Sequence, residues 1–146
     1  MKLSLHFDLD EFTLSQTAVR LGIRNDPPPA VIENLRRLAR SLETVRVILG
    51  GAIIVSSGYR SPELNAAVKG SKESAHMRGL AVDFTAPSYG TPKECALAII
   101  RSDLIFDQVI WEGAWVHFAL AESEPRRDIL TATFGPLGVS YGRGIA

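Results

Sequence analysis

A long amphipathic run held between two stops decides the architecture of this chain. The stretch G-I-R-N-D-P-P-P, residues 22–29, cannot be helix interior, because proline lacks the amide donor and clashes with the preceding turn. Gly50–Gly51 supplies the second stop. Between them Val31, Leu35, Leu38, Leu42, Val45 and Leu49 recur at three- and four-residue spacing, and Ile32, Ala39 and Ile48 widen the stripe. Glu33, Arg36, Arg37, Arg40 and Glu43 take the other face. The pattern predicts a helix over roughly Ala30–Leu49. A helix with one apolar stripe must bury it against a second layer.

The remaining apolar runs are short and supply that layer. Ala52–Val55 is β-branched and reads as a buried strand, and Leu80–Thr85 reads as a strand carrying Asp83. Phe106–Trp111 and Trp115–Leu120, joined by E-G-A, read as a hairpin. Residues 127–134 read as a third antiparallel strand. Short helices punctuate these runs. Asp8 with Glu11, and Thr91 with Glu94, have capping-box spacing. Ser61–Pro62 reads as an N-cap followed by proline at the first helical position, opening a helix over 62–69. Phe7 and Phe12 are expected to anchor the N-terminal element. The glycine-rich tail, within 130–146, is expected to be a loosely ordered surface wrap. The sum is α+β: one domain over 1–146, with helices packed on a mostly antiparallel sheet.

Charge and cysteine content narrow the functional classes. Lys+Arg and Asp+Glu are both 16, and no block of like charge suggests a nucleic-acid or membrane-binding arm. The single cysteine, Cys95, excludes an internal disulfide and reads as a small buried hydrophobe. No apolar run is long enough to span a bilayer, so no stable membrane association is expected. The opening M-K-L-S-L-H-F-D-L-D has no signal-peptide pattern, so synthesis in the cytoplasm is the expectation.

The chemistry lies in two short segments, S-A-H-M-R-G-L-A-V-D (74–83) and W-V-H (115–117). They hold two of the three histidines and one aspartate. Two imidazoles and a carboxylate are a ligand set for a catalytic zinc ion with one position left open. His76 on a loop entering a strand can meet Asp83 on that strand, with Gly79 allowing the chain to turn. His117 would arrive by sheet pairing. The residues alone also allow a plainer reading, in which His117 is a packed histidine and Asp83 caps a turn.

Taken with S-G-Y-R-S (57–61), these segments resemble the peptidase M15 family of zinc D-Ala-D-Ala carboxypeptidases and phage endolysin-type peptidases. The likeness is closest to its small, stand-alone phage and prophage branch. The resemblance implies a compact α+β domain with one zinc ion at the centre of an antiparallel sheet. It implies His76, Asp83 and His117 as ligands, Arg60 beside the substrate, and Ser74 lining the substrate site. Tyr59, Trp111, Trp115 and Phe118 are candidate cleft residues. Several relatives carry an acid three positions before the last histidine; here that position is Ala114. Glu112 is therefore the expected general base, with Asp107 a weaker substitute that more naturally braces the sheet.

The expected activity is zinc-dependent hydrolysis of an amide bond in peptidoglycan stem peptides. D-Ala-D-Ala, L-Ala-D-Glu and cross-bridge bonds all stay open. The alternative is a non-catalytic, metal-containing structural or wall-binding module of a phage or prophage particle. The expected place of action is the wall, after release or as part of a phage particle, with a holin or particle components as partners.

Overall fold

A computed structural model describes the whole chain, Met1–Ala146. Its longest element, α3, spans Pro29–Leu49 and buries Leu35, Leu38, Ala39, Leu42, Val45 and Leu49, the stripe marked by their spacing. Pro29 takes the first helical position, where a missing amide hydrogen leaves nothing unsatisfied. Gly50 closes the helix in the left-handed region, at φ 69°. Upstream, α1 (Leu9–Thr13) opens on the Asp8–Glu11 capping box and α2 (Gln16–Leu21) has Ser15 as its N-cap. Phe7 and Phe12 are buried in the main core, as expected of anchors. No helix is long and apolar enough to cross a membrane.

The second layer is a sheet of six strands: β1 (Ile54–Ser57), β2 (Ala81–Thr85), β3 (Gln108–Trp111), β4 (Val116–Ala119), β5 (Asp128–Gly135) and β6 (Gly138–Arg143). Their order across the sheet is β1-β2-β4-β3-β5-β6. Two further helices, α4 (Pro62–Ala67) and α5 (Pro92–Ile100), begin at the expected Ser61 and Thr91 caps. Cys95 is fully buried, and burial raises its thiol pKa, so it behaves as a small core residue.

Three expectations are corrected. β1 is not a buried strand: it lies at the sheet edge, and Ile54 is exposed while Ile53, just before it, is buried. β5 is parallel to β3, not antiparallel. The hairpin returns the chain to the end where β3 begins, and Arg126 is held there by two hydrogen bonds from its guanidinium to Asp107, at 3.0 and 2.8 Å. Asp128 N–H then donates to the Asp107 carbonyl at 2.8 Å, so β5 starts level with β3 and runs the same way. Asp107 thus braces the sheet and is committed to Arg126. The glycine-rich tail is not a loose wrap: its residues pair with β5 from Leu130↔Arg143 to Gly135↔Gly138.

Side-chain alternation gives the sheet two different faces. Val82, Phe84, Val109, Val116 and Phe118 pack into the core with α3 and α5. Burying each such side chain contributes about 1.5–3 kcal/mol. Asp83 and His117 alternate with these residues and emerge on the opposite face. The helices therefore stabilise one side and leave the other available for chemistry.

Candidate metal centre

Asp83 and His117 are directly opposed on the central strands β2 and β4. The pairing brings His117 Nδ1 to 3.0 Å from Asp83 Oδ1. His76 comes from a different element, the 3-10 turn Ala75–Arg78. Ser74 caps that turn, its hydroxyl accepting from His76 N–H at 3.2 Å. Gly79 ends it at φ 71° and sends the chain into β2. His76 Nε2 then lies 3.4 Å from the same Asp83 oxygen. The two imidazole centroids are 5.2 Å apart.

The orientation of His76 is fixed from behind. Its Nδ1 is 2.7 Å from the carbonyl of Gly58, which can only accept. Nδ1 therefore carries the hydrogen, and Nε2 presents its lone pair to the site. A backbone carbonyl in this place is the usual outer support of a metal-bound histidine. Close approach at Gly58 requires glycine: a Cβ there would lie 2.6 Å from the Phe12 carbonyl oxygen. The Arg60 N–H closes the same junction, donating to the His76 carbonyl at 3.1 Å.

One ligand atom from each of His76, Asp83 and His117 fits within a mutual distance of 4.8 Å. His76 and His117 are 2% and 9% exposed. Burial alone would raise the Asp83 pKa, but hydrogen bonds and charge from His117 and His76 outweigh it and hold the carboxyl ionised, well below its ordinary range. Burial lowers the His76 pKa and keeps the ring neutral, the form that binds a metal. Two imidazole nitrogens and a carboxylate oxygen fit zinc, with a coordination position left for water.

Arg60 and Glu112 flank this group. Burial lowers the Arg60 pKa, while the negative charges of Asp83 and Glu112 act to raise it. The Arg60 Nε is buried with no protein partner. The loop carrying Arg60 is held by Asn25, whose Nδ2 donates to the carbonyls of Thr13 at 2.9 Å and Tyr59 at 3.0 Å. The Ser61 N–H donates to Asn25 Oδ1 at 2.7 Å. This clamp was not foreseen; an asparagine just before a proline run gives no sign of which distant loop it will hold.

Glu112 stands at the hairpin turn, its N–H donating to the Trp115 carbonyl at 3.0 Å. Burial raises its pKa, and the charge of Asp83 raises it further; His117, Trp115 and Arg60 pull the other way. The Trp115 indole N–H is near this carboxylate but is buried without a completed hydrogen bond.

The other candidates divide by sheet face. Trp115 shares the side of His117. Trp111 and Phe118 do not line the site: alternation puts both on the helix-packed face, where Phe118 is fully buried and Lys93 of α5 covers Trp111 at 5.2 Å. Tyr59 is 5% exposed and packs in the main core, at the border of a groove of about 820 Å³ that reaches Gly58 and Arg60. The metal-ligand group itself lies outside that groove, on the open face of the sheet.

The family model described as peptidase M15 matches residues 5–119. The chain belongs to the peptidase M15 family. The match contains the histidine–aspartate–histidine group, Arg60 and Glu112. Comparison with curated proteins gives no match. As an M15 member, the protein carries the chemistry of a peptidase, and its metal-capable group draws Asp83 and His117 from the sheet and His76 from the turn before β2.

Proposed function

We propose that this M15 protein is a zinc-dependent peptidase that hydrolyses an amide bond in the stem peptides of bacterial peptidoglycan. The observation that carries the reading is the convergence of His76, Asp83 and His117, with Arg60 and Glu112 both in electrostatic reach of Asp83. Structural metal sites usually close all four positions with protein ligands; three ligands with an adjacent unpaired acid favour catalysis.

A zinc ion held there would supply a Lewis acid for the scissile carbonyl and would lower the pKa of a water. The protein's own residues provide the rest. Glu112 accepts a proton from the attacking water as its oxygen bonds to the carbonyl carbon. When the carbon–nitrogen bond breaks, Glu112 returns that proton to the leaving amine. A carboxyl whose pKa is raised by burial suits both transfers near neutral pH. Arg60 pairs its guanidinium with the carbonyl oxygen as charge develops, or with a neighbouring substrate carboxylate. Its buried, unpartnered Nε supports this role. Ser74 acts through the turn that it caps, by holding His76 in place.

The test is Glu112→Gln, which keeps shape and removes the base. The expected result is one zinc per chain in both proteins, release of new amino groups from purified peptidoglycan by the parent, and loss of about 100-fold or more in the variant. Equal zinc with equal release would remove Glu112 from the mechanism. Zinc binding with no release from several wall types would favour a non-catalytic module.

A further inference from the structure

The family match ends at residue 119, and the last two strands, β5 and β6, lie beyond it. They nevertheless extend the metal-bearing face. Trp111 is level with Thr131, and Ala132 pairs with Tyr141. One residue further along β3, Glu112 is therefore level with Ala132, and it is joined on its other side to Trp115 through its N–H. Trp115, Glu112, Ala132 and Tyr141 form one row across the sheet. Ile110, two residues before Glu112, is opposite His117, so alternation puts the whole row on the side of His117 and Asp83.

Ala132 sits between Glu112 and Tyr141 in that row, and its small side chain leaves space above it. It is the only buried residue of β5, at 7% exposure, while Phe134 and Tyr141 are 53% and 56% exposed. Tyr141 is the direct cross-strand partner of Ala132, on the same face. Neighbouring strands are about 4.8 Å apart, so a phenol can span the single strand that separates Tyr141 from Glu112. Burial and then the negative charges of Glu112 and Asp83 raise the Tyr141 pKa, in keeping with this placement, and no hydrogen bond contributes to it. Phe134, in the same strand pair, fixes the hairpin to the Glu112 turn: its ring centroid is 6.3 Å from that of Trp115. Arg60 comes just after β1, at the opposite edge of the sheet.

We infer that Tyr141 is a substrate-binding residue, its phenol O–H donating to a backbone carbonyl of the peptide held beside Glu112. The inference rests on the peptidase reading above. The peptide would then lie across the sheet between Arg60 on one flank and the C-terminal hairpin on the other. Tyr141 would orient the chain without a share in the proton transfers.

Tyr141→Phe tests this, since it keeps the ring and removes only the hydroxyl. The probe is a synthetic peptidoglycan stem pentapeptide, or the released stem fragment that the parent cuts best. Tyr141→Phe is expected to lower kcat/KM by about 10-fold, mainly through KM. In the Glu112→Gln background it should raise the dissociation constant of the same peptide by a similar factor. Zinc content should not change, and Ser140→Ala, on the other face of β6, should match the parent. Cleavage and binding by Tyr141→Phe within twofold of the parent would overturn the inference and leave the proposed function standing. A loss of zinc in Tyr141→Phe would overturn it too, by assigning the residue to the metal centre's integrity. A zinc-loaded parent that neither binds nor cuts any probe would overturn the proposed function, and this inference with it.

Discussion

Gly79→Ala should damage both stability and the metal centre, and the two losses can be worked from the structure. Gly79 ends the turn that carries His76, and it does so at φ 71°, where an L-residue is strained by about 1–2 kcal/mol. There is a second cost. A Cβ at this position would lie 2.8 Å from the Val31 carbonyl oxygen, 2.8 Å from Val31 Cγ1 and 3.1 Å from Leu35 Cγ. Val31 and Leu35 belong to α3, so the obstruction includes helix backbone that cannot rotate away. Overpacking of this kind costs about 1–3 kcal/mol. The sum is a destabilisation of about 2–5 kcal/mol. Gly22→Ala is the internal control, because Gly22 has φ 67° but nothing within 4 Å of the added carbon. It should lose only the strain, about 1–2 kcal/mol. Urea denaturation of the two variants measures both figures. Relief of the clash must move the turn, so zinc affinity should fall in Gly79→Ala and hold in Gly22→Ala. Equal stability losses in the two variants would refute the packing argument. Unchanged zinc affinity in a destabilised Gly79→Ala protein would refute the claim that this junction positions His76.

Three further outcomes rest on charge. Burial alone would raise the Glu43 pKa, but bonds from Ser4 and from the backbone and ring of His6 bring it down to about 2, so its contribution is complete above the ordinary value of 4.5 and lost as pH falls through 2. Glu43→Gln should cost about 1–2 kcal/mol at pH 7, discounted for partial exposure, and this gap should close in acid; a gap independent of pH would contradict the assignment. Burial and then the charge of Asp83 raise the Glu112 pKa, so in the metal-free protein its carboxyl should titrate above the ordinary 4.5, followed by NMR; a midpoint at or below that value would contradict this placement. Arg60→Ala should lower kcat/KM by about 100- to 1,000-fold with zinc retained, and an effect on zinc content alone would reassign the residue to the fold.

The range of each interaction decided whether the sequence showed it or hid it. α3 was legible because its stripe, its proline start and its glycine stop all act locally. The capping boxes at Asp8 and Thr91 were legible for the same reason. Short apolar runs marked β2, β3 and β4, but such runs carry no record of the partner. The parallel β3–β5 pair therefore came unannounced, set by an anchor between Arg126 and Asp107. In β6, glycine-rich composition hid a strand that pairs with β5 along its whole length. His76, Asp83 and His117 stood out as residue types in unusual contexts. Their supports did not, because the Gly58 carbonyl and the groups that the Asn25 side chain clamps are backbone atoms that every residue possesses. Which of Trp111 and Trp115 faces the site was likewise decided only by the register of the hairpin.

The most direct test of the metal centre is amino-group release from purified peptidoglycan by chelated protein, by the same protein after one equivalent of zinc, and by His117→Ala treated alike. The expected result is no release without metal, recovery on adding zinc to the parent, and none in the variant. Release that persists in the fully chelated parent, or that zinc restores equally in His117→Ala, would contradict a metal centre built from His76, Asp83 and His117.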